Sequence, residues 1–116
     1  MEDLGAIFWI IYLAVIITII AAFWKVFVKA GKPGWAAIVP IYNVIVMLEI
    51  VGRPLWWFLL FLVPVVNVIV GIIVDIDMAK SFGKSTGFGV GLFFLGFIFY
   101  PILGFGDAEY QGPQAV

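Results

Sequence analysis

Charged residues are so sparse in this chain that they cut it into four long uncharged runs: Leu4–Trp24, Pro33–Leu48, Pro54–Val74 and Ser85–Gly106. The runs are 21, 16, 21 and 22 residues long. About 20 apolar residues in a helix cross the roughly 30 Å hydrocarbon core of a bilayer. Three runs meet that length, and the second falls short at about 24 Å, counting 1.5 Å per residue. The second run also carries Pro33 and Pro40, and proline interrupts a helix.

Composition points the same way. Of the 116 residues, 66% are hydrophobic and 11% charged, whereas soluble domains run near 45–50% apolar and about 25% charged. A soluble fold this small leaves too much surface exposed to hide such a composition. Net charge is −1, with no basic block to hold nucleic acid. Cys and His are both absent, so disulfides, the usual zinc and haem ligand sets, a Cys nucleophile and a His-based triad are excluded. No catalytic residue, cofactor or metal site is expected. Glu2 and Asp3 precede the first run where a signal peptide would be basic, so that run reads as a retained span.

The expected fold is an all-α, polytopic membrane bundle. It forms one transmembrane domain over residues 1–116, with spans at about 4–24, 35–51, 54–77 and 86–106. The second span is short or re-entrant. The positive-inside rule favours four spans with both termini outside. That choice puts Lys25, Lys29, Lys32, Lys80 and Lys84 inside against Arg53 outside, five to one. A re-entrant second run gives four to two. Trp24, Trp35, Trp56 and Trp57 fall where a belt of amphipathic rings is expected.

An internal echo runs through the chain. Gly31-Lys32-Pro33-Gly34-Trp35 resembles Gly52-Arg53-Pro54-Leu55-Trp56. Each is followed by Val-Pro-x-x-Asn-Val-Ile-Val, at 39–46 and 63–70. A fainter third copy runs from Gly83-Lys84-Ser85 to Tyr100-Pro101. Repeats of this kind mark duplicated units in membrane proteins, although Gly-basic-Pro is also a simple way to start any membrane helix.

Polar groups at membrane depth are costly and are the natural site candidates: Asn43, Asn67, Glu49, Asp75 and Asp77, with Thr18 beside them. Asn43 and Asn67 each follow a proline by three residues, placing an amide where a broken helix frees a carbonyl. Glu49 and Arg53 have the spacing of a helical ion pair, as Asp77 has with Lys80. Asp75 and Asp77, two apart, point to different helix faces. Gly87, Gly91 and Gly96 lie among phenylalanines in the last run, a pattern that allows close helix packing.

The stretches Lys29–Trp35, Ile41–Asn43, Ala79–Gly89 and Tyr100–Asp107 make Val26–Tyr110 resemble an uncharacterised bacterial membrane family, domain of unknown function 5684. In that family the stretch also occurs fused to signal peptidase I, and lone copies sometimes carry that enzyme's label. The resemblance implies a helical fold in a bacterial inner membrane. It does not imply peptidase activity, because Ser81 and Ser85 are the only serines and no β-rich catalytic domain fits here. The expected function is a non-enzymatic scaffold or self-assembling or accessory subunit that packs through the Gly-rich faces of its fourth span, and whose partners are the bilayer and other copies or membrane proteins. The alternatives are a small channel or transporter around Asn43 and Asn67, and an accessory of protein export.

Overall fold

In a computed structural model, residues 2–113 are described, Glu2 by its backbone alone. The expected domain range of 1–116 thus passes beyond them at Met1 and at 114–116. The chain is all-helical, with no strand among the described residues. Helix α1 spans Glu2–Lys29, α2 Tyr42–Val51, α3 Val66–Ser81, α4 Thr86–Phe94 and α5 Gly96–Phe105. Two 3₁₀ segments, Gly34–Ala37 and Leu55–Leu62, precede α2 and α3.

Helix α1 is long and apolar enough to cross a bilayer, at about 42 Å for its 28 residues. It meets no proline until Pro33, and it ends on Gly31, whose φ of +79° is left-handed backbone that glycine adopts without strain. The Lys32 amide then reaches back to the Phe27 carbonyl at 2.9 Å, a Schellman closure. The same closure recurs twice. Gly52 (φ +86°) ends α2 with Arg53 N–H to Leu48 O at 3.0 Å, and Gly83 (φ +75°) ends α3 with Lys84 N–H to Ala79 O at 2.8 Å. Each time, a basic residue follows the glycine directly.

None of the three later runs is one continuous helix. The first two break at their Val-Pro step, by one and the same turn. Ile41 has φ 71° and ψ −55°, and Val65 has φ 69° and ψ −50°. These are the angles of a rare, strained γ-turn. Its hydrogen bond closes from Tyr42 N–H to Pro40 O at 2.7 Å, and from Val66 N–H to Pro64 O at 2.8 Å. The next amides also match: Asn43 to Val39 O at 3.0 Å and Asn67 to Val63 O at 2.9 Å. The echo in the sequence is therefore an echo in backbone geometry. The third run breaks at Leu95 between α4 and α5, without a γ-turn.

At each break the chain folds back, and the charged side chains record where it returns. Lys32 meets Glu49 at 2.9 Å, closing the first hairpin (33–51). Arg53 meets Asp77 at 2.7 Å, closing the second (54–81). In the third (85–106), Phe88 of α4 packs edge-on against Phe99 of α5, their ring centres 5.1 Å apart. Helix α4 runs antiparallel to α3: a Cβ on Gly71 would meet the Phe93 ring, and one on Gly89 would overlap the Ile76 backbone. Helix α5 then runs parallel to the second half of α1, with Tyr100 stacked on Phe23 and Gly104 against Ala22.

The expected four-span topology is not confirmed: among the described residues, α1 alone is long and apolar enough to cross a membrane. Four spans with both termini on one side place Arg53 and Asp77 at opposite ends, and likewise Lys29 and Gly106. The chain instead brings each pair together. Hydropathy could not reveal this, because an apolar hairpin and an apolar span look alike in sequence.

The hairpins pack chiefly around the second half of α1. Ile38 lies beside Ile17, Ile20 and Trp24, and Phe97 lies beside residues from Ile11 to Ile19. From Asp3 to Val15 every residue of α1 is exposed. The core of Val26, Phe27, Leu48, Ile50, Val51, Met78, Ala79 and Leu103 gathers toward the opposite, charged end. The hairpin tips are apolar and uncovered: Ile41 is 60% exposed and Val65 74%.

Candidate functional site

The three Gly-basic closures and the return of every hairpin gather the polar side chains into one layer. At its centre Arg53 Nε donates to Asp77 Oδ2 at 2.7 Å and Nη2 to Oδ1 at 3.3 Å. The fork-on-fork geometry suits guanidinium and carboxylate. Asp77 is buried, and Arg53 lies over the Trp57 ring at 4.7 Å. The Ser81 hydroxyl donates to the Asp77 carbonyl at 2.8 Å.

Lys29 Nζ donates to the carbonyls of Leu103 and Gly106 at 2.8 and 2.9 Å. These lie at the end of α5, where unpaired carbonyls and the helix dipole favour a cation. Lys25 lies over Phe105, and Lys84 over Phe88. The tail returns across the layer: the Tyr110 hydroxyl donates to Ile50 O, and the Gln111 amide to Ser81 O at 2.7 Å. Burial raises the Tyr110 phenol pKa, partly offset by the positive charge of Lys32.

Asp75 is separate from this layer. Its Oδ1 accepts from the hydroxyl of the buried Tyr100. The carboxylate borders a small cavity of about 90 Å³ lined by Val44, Met47, Phe61, Gly71 and Val74. Asp75 and Asp77 thus take different partners on different faces of α3.

The two ion pairs differ from those suggested by local spacing. Glu49 pairs with Lys32 rather than Arg53, and Asp77 with Arg53 rather than Lys80. Asn43 Nδ2 donates to Ala37 O at 3.5 Å, tying α2 to the 3₁₀ segment before it. Asn67 is half-buried at the corresponding place in α3. Thr18 donates to Ala14 O within α1 at 2.7 Å. Gly87 has only Ser85 Oγ nearby, 3.8 Å from where its Cβ would be. Gly91 lies against the Phe99 ring, and Gly96 beside Tyr100 at an ordinary 3.4 Å.

The tight backbone approaches belong instead to Gly89 and Gly104. Sequence reasoning also passed over Tyr100, Tyr110 and Lys29, whose partners lie 25, 60 and at least 74 residues away. The one available signal was that Asp75, set in an apolar run, needed a donor.

Chemically, the layer binds the hairpins to one another. Both serine hydroxyls are engaged in backbone hydrogen bonds, that of Ser85 as the N-cap acceptor from Phe88 N–H at 3.2 Å. Among the described residues, no group of three or more acidic side chains is placed to hold a metal ion.

Residues 35–113 match the model of a family of unknown function, DUF5684. The match covers more than half of the chain, and the chain belongs to that family. The matched region starts past α1 and takes in nearly all of the three hairpins and the tail. No curated protein and no solved structure matches.

Proposed function

We propose that this member of the DUF5684 family is a membrane-embedded, non-enzymatic scaffold, with α1 crossing the bilayer and three hairpins entering one leaflet from the charged side. The observation that carries this reading is the clustering of cations. Lys25, Lys29, Lys32, Arg53, Lys80 and Lys84 follow or end the helices that terminate at the charged layer, six on one side and none on the other. By the positive-inside rule that side is cytoplasmic. The count is cleaner than the five to one of four spans. The N-terminus is then outside and Asp107 inside, in a bacterial inner membrane.

Depths agree with this. Helices α2, α4 and α5, nine or ten residues long, reach about 15 Å, roughly half of a 30 Å core; α3 reaches about 24 Å in all, and its uncharged part before Asp75, Val66–Val74, about 14 Å. Chain reversal in hydrocarbon demands that backbone groups be satisfied internally. The γ-turn does this economically: proline carries no N–H, and the amides that follow bond to Pro40, Pro64, Val39 and Val63. Apolar tips such as Ile41 and Val65 suit the bilayer midplane.

A body held together by its own ion pairs, with the first half of α1 uncovered, supports a role in assembly through α1 with copies or other membrane proteins. Native mass spectrometry of the detergent-solubilised chain tests this. A discrete oligomer or a stoichiometric co-purifying membrane protein is expected, and a strict monomer with no partner contradicts it. A second reading, passage of a small ion, draws on the cavity bordered by Asp75. At about 90 Å³ it lies below the roughly 300 Å³ of ordinary ligand pockets, leaving room for water or an inorganic ion. Liposome flux lost in Asp75→Asn would favour it, and no flux in the parent would remove it.

A further inference from the structure

We infer that the chain is a one-leaflet wedge that concentrates on membrane whose charged-side leaflet is convex; this rests on the topology proposed above. Seven helical segments share the charged half of the molecule: the second half of α1, the two 3₁₀ segments and α2 to α5. Only the first half of α1, exposed from Asp3 to Val15, continues beyond them. With a helix about 10–12 Å across, seven segments occupy about 600–700 Å², against roughly 100 Å² for one. Around a single chain, lipid fills the difference in the far leaflet.

An inclusion so unequal strains a flat bilayer, and the strain falls when the wider leaflet lies on the outside of a curve. Polar contacts tie the wedge together. The Lys32–Glu49 and Arg53–Asp77 pairs close two hairpins, and Lys29 ties α5 to α1. A cylindrical bundle of four spans would have no such preference.

The test uses the full chain with Lys84→Cys as its single thiol, reconstituted in giant vesicles from which a narrow tube is pulled. A membrane-impermeant maleimide dye marks molecules with the charged end outward. After blocking, a permeant dye marks those facing inward. Outward-facing molecules are expected to be enriched in the tube, relative to a lipid dye, by about twofold or more, and inward-facing ones to be depleted. Equal partition in both orientations, or enrichment independent of orientation, overturns the wedge. Labelling of Arg53→Cys and Lys84→Cys from opposite faces in cells and inverted membrane vesicles, where the chain has a single orientation, would instead remove the topology, and the wedge with it. Same-side labelling with flat partition removes the wedge alone.

Discussion

Arg53 and Asp77, 24 residues apart in sequence, lie 2.7 Å apart in a two-bonded ion pair that ties the start of the second hairpin to its end. Because Asp77 is buried, removing its partner leaves a charge with poor compensation. Losing one member of a buried pair costs about 3–5 kcal/mol, and the 27% exposure of the Arg53 side chain reduces this to roughly 2–3 kcal/mol. Arg53→Ala and Asp77→Ala should each lower stability by that amount in detergent unfolding. The exchanged pair, Arg53→Asp with Asp77→Arg, should recover part of it. Additive losses in the exchanged protein would show that the pair is not a unit.

The γ-turns at Ile41 and Val65 hold β-branched residues at positive φ, a conformation costing about 1–3 kcal/mol. Glycine relieves that strain and loses about 0.5–1 kcal/mol of conformational entropy. Val65→Gly should therefore leave stability within about 1 kcal/mol of the parent or raise it. Val70→Gly, at a buried helical position, should cost roughly 3 kcal/mol. Comparable losses at both sites in thermal unfolding would refute the turn.

Helix packing in the third hairpin depends on two glycines. A Cβ at Gly89 would overlap the Ile76 backbone, and one at Gly104 the Ala22 backbone. Backbone cannot move aside as a flexible side chain can, so Gly89→Ala and Gly104→Ala should each destabilise by about 1–3 kcal/mol. Gly87→Ala meets open space apart from Ser85 Oγ and should gain a few tenths of a kcal/mol in helix propensity, about 0.5.

Tyr110 tests the tail. Its folded pKa is raised by burial, with Lys32 opposing. The neutral phenol is thus favoured in the fold, and its contribution is present below the unfolded value of 10.0 and lost as pH rises through the folded value. Amide exchange at Gln111 should stay slow up to pH 10, after correction for intrinsic rates, and accelerate beyond it. Tyr110→Phe should release the tail at neutral pH, at a cost of about 1 kcal/mol. Unchanged protection in Tyr110→Phe would show that the hydroxyl does not hold it.

Much of this architecture was legible in the sequence, and the illegible part has a definite cause. The four runs, the helical class and the Val-Pro-x-x-Asn echo all rest on local pattern, and the echo reappears in the matched angles of Ile41 and Val65. The direction of each run after its proline was not local. A proline followed by an apolar residue is compatible with a kinked span or a reversal, and the positive φ that decides between them is unusual for Ile and Val. Local spacing likewise suggested Glu49–Arg53, whereas the hairpin closures brought in Lys32 and Asp77. Gly89 and Gly104 do not stand out among the glycines of the last run, because small-residue spacing within one helix does not say which face meets a neighbour.

The most direct measurement uses single cysteines, in a chain that has none of its own, at Asp3, Lys32, Arg53, Lys84 and Asp107. With a membrane-impermeant thiol reagent on cells and on inverted membrane vesicles, Lys32, Arg53, Lys84 and Asp107 should all label from the cytoplasmic face, and Asp3 from the other. Labelling of Arg53 and Lys84 from opposite faces would contradict the account.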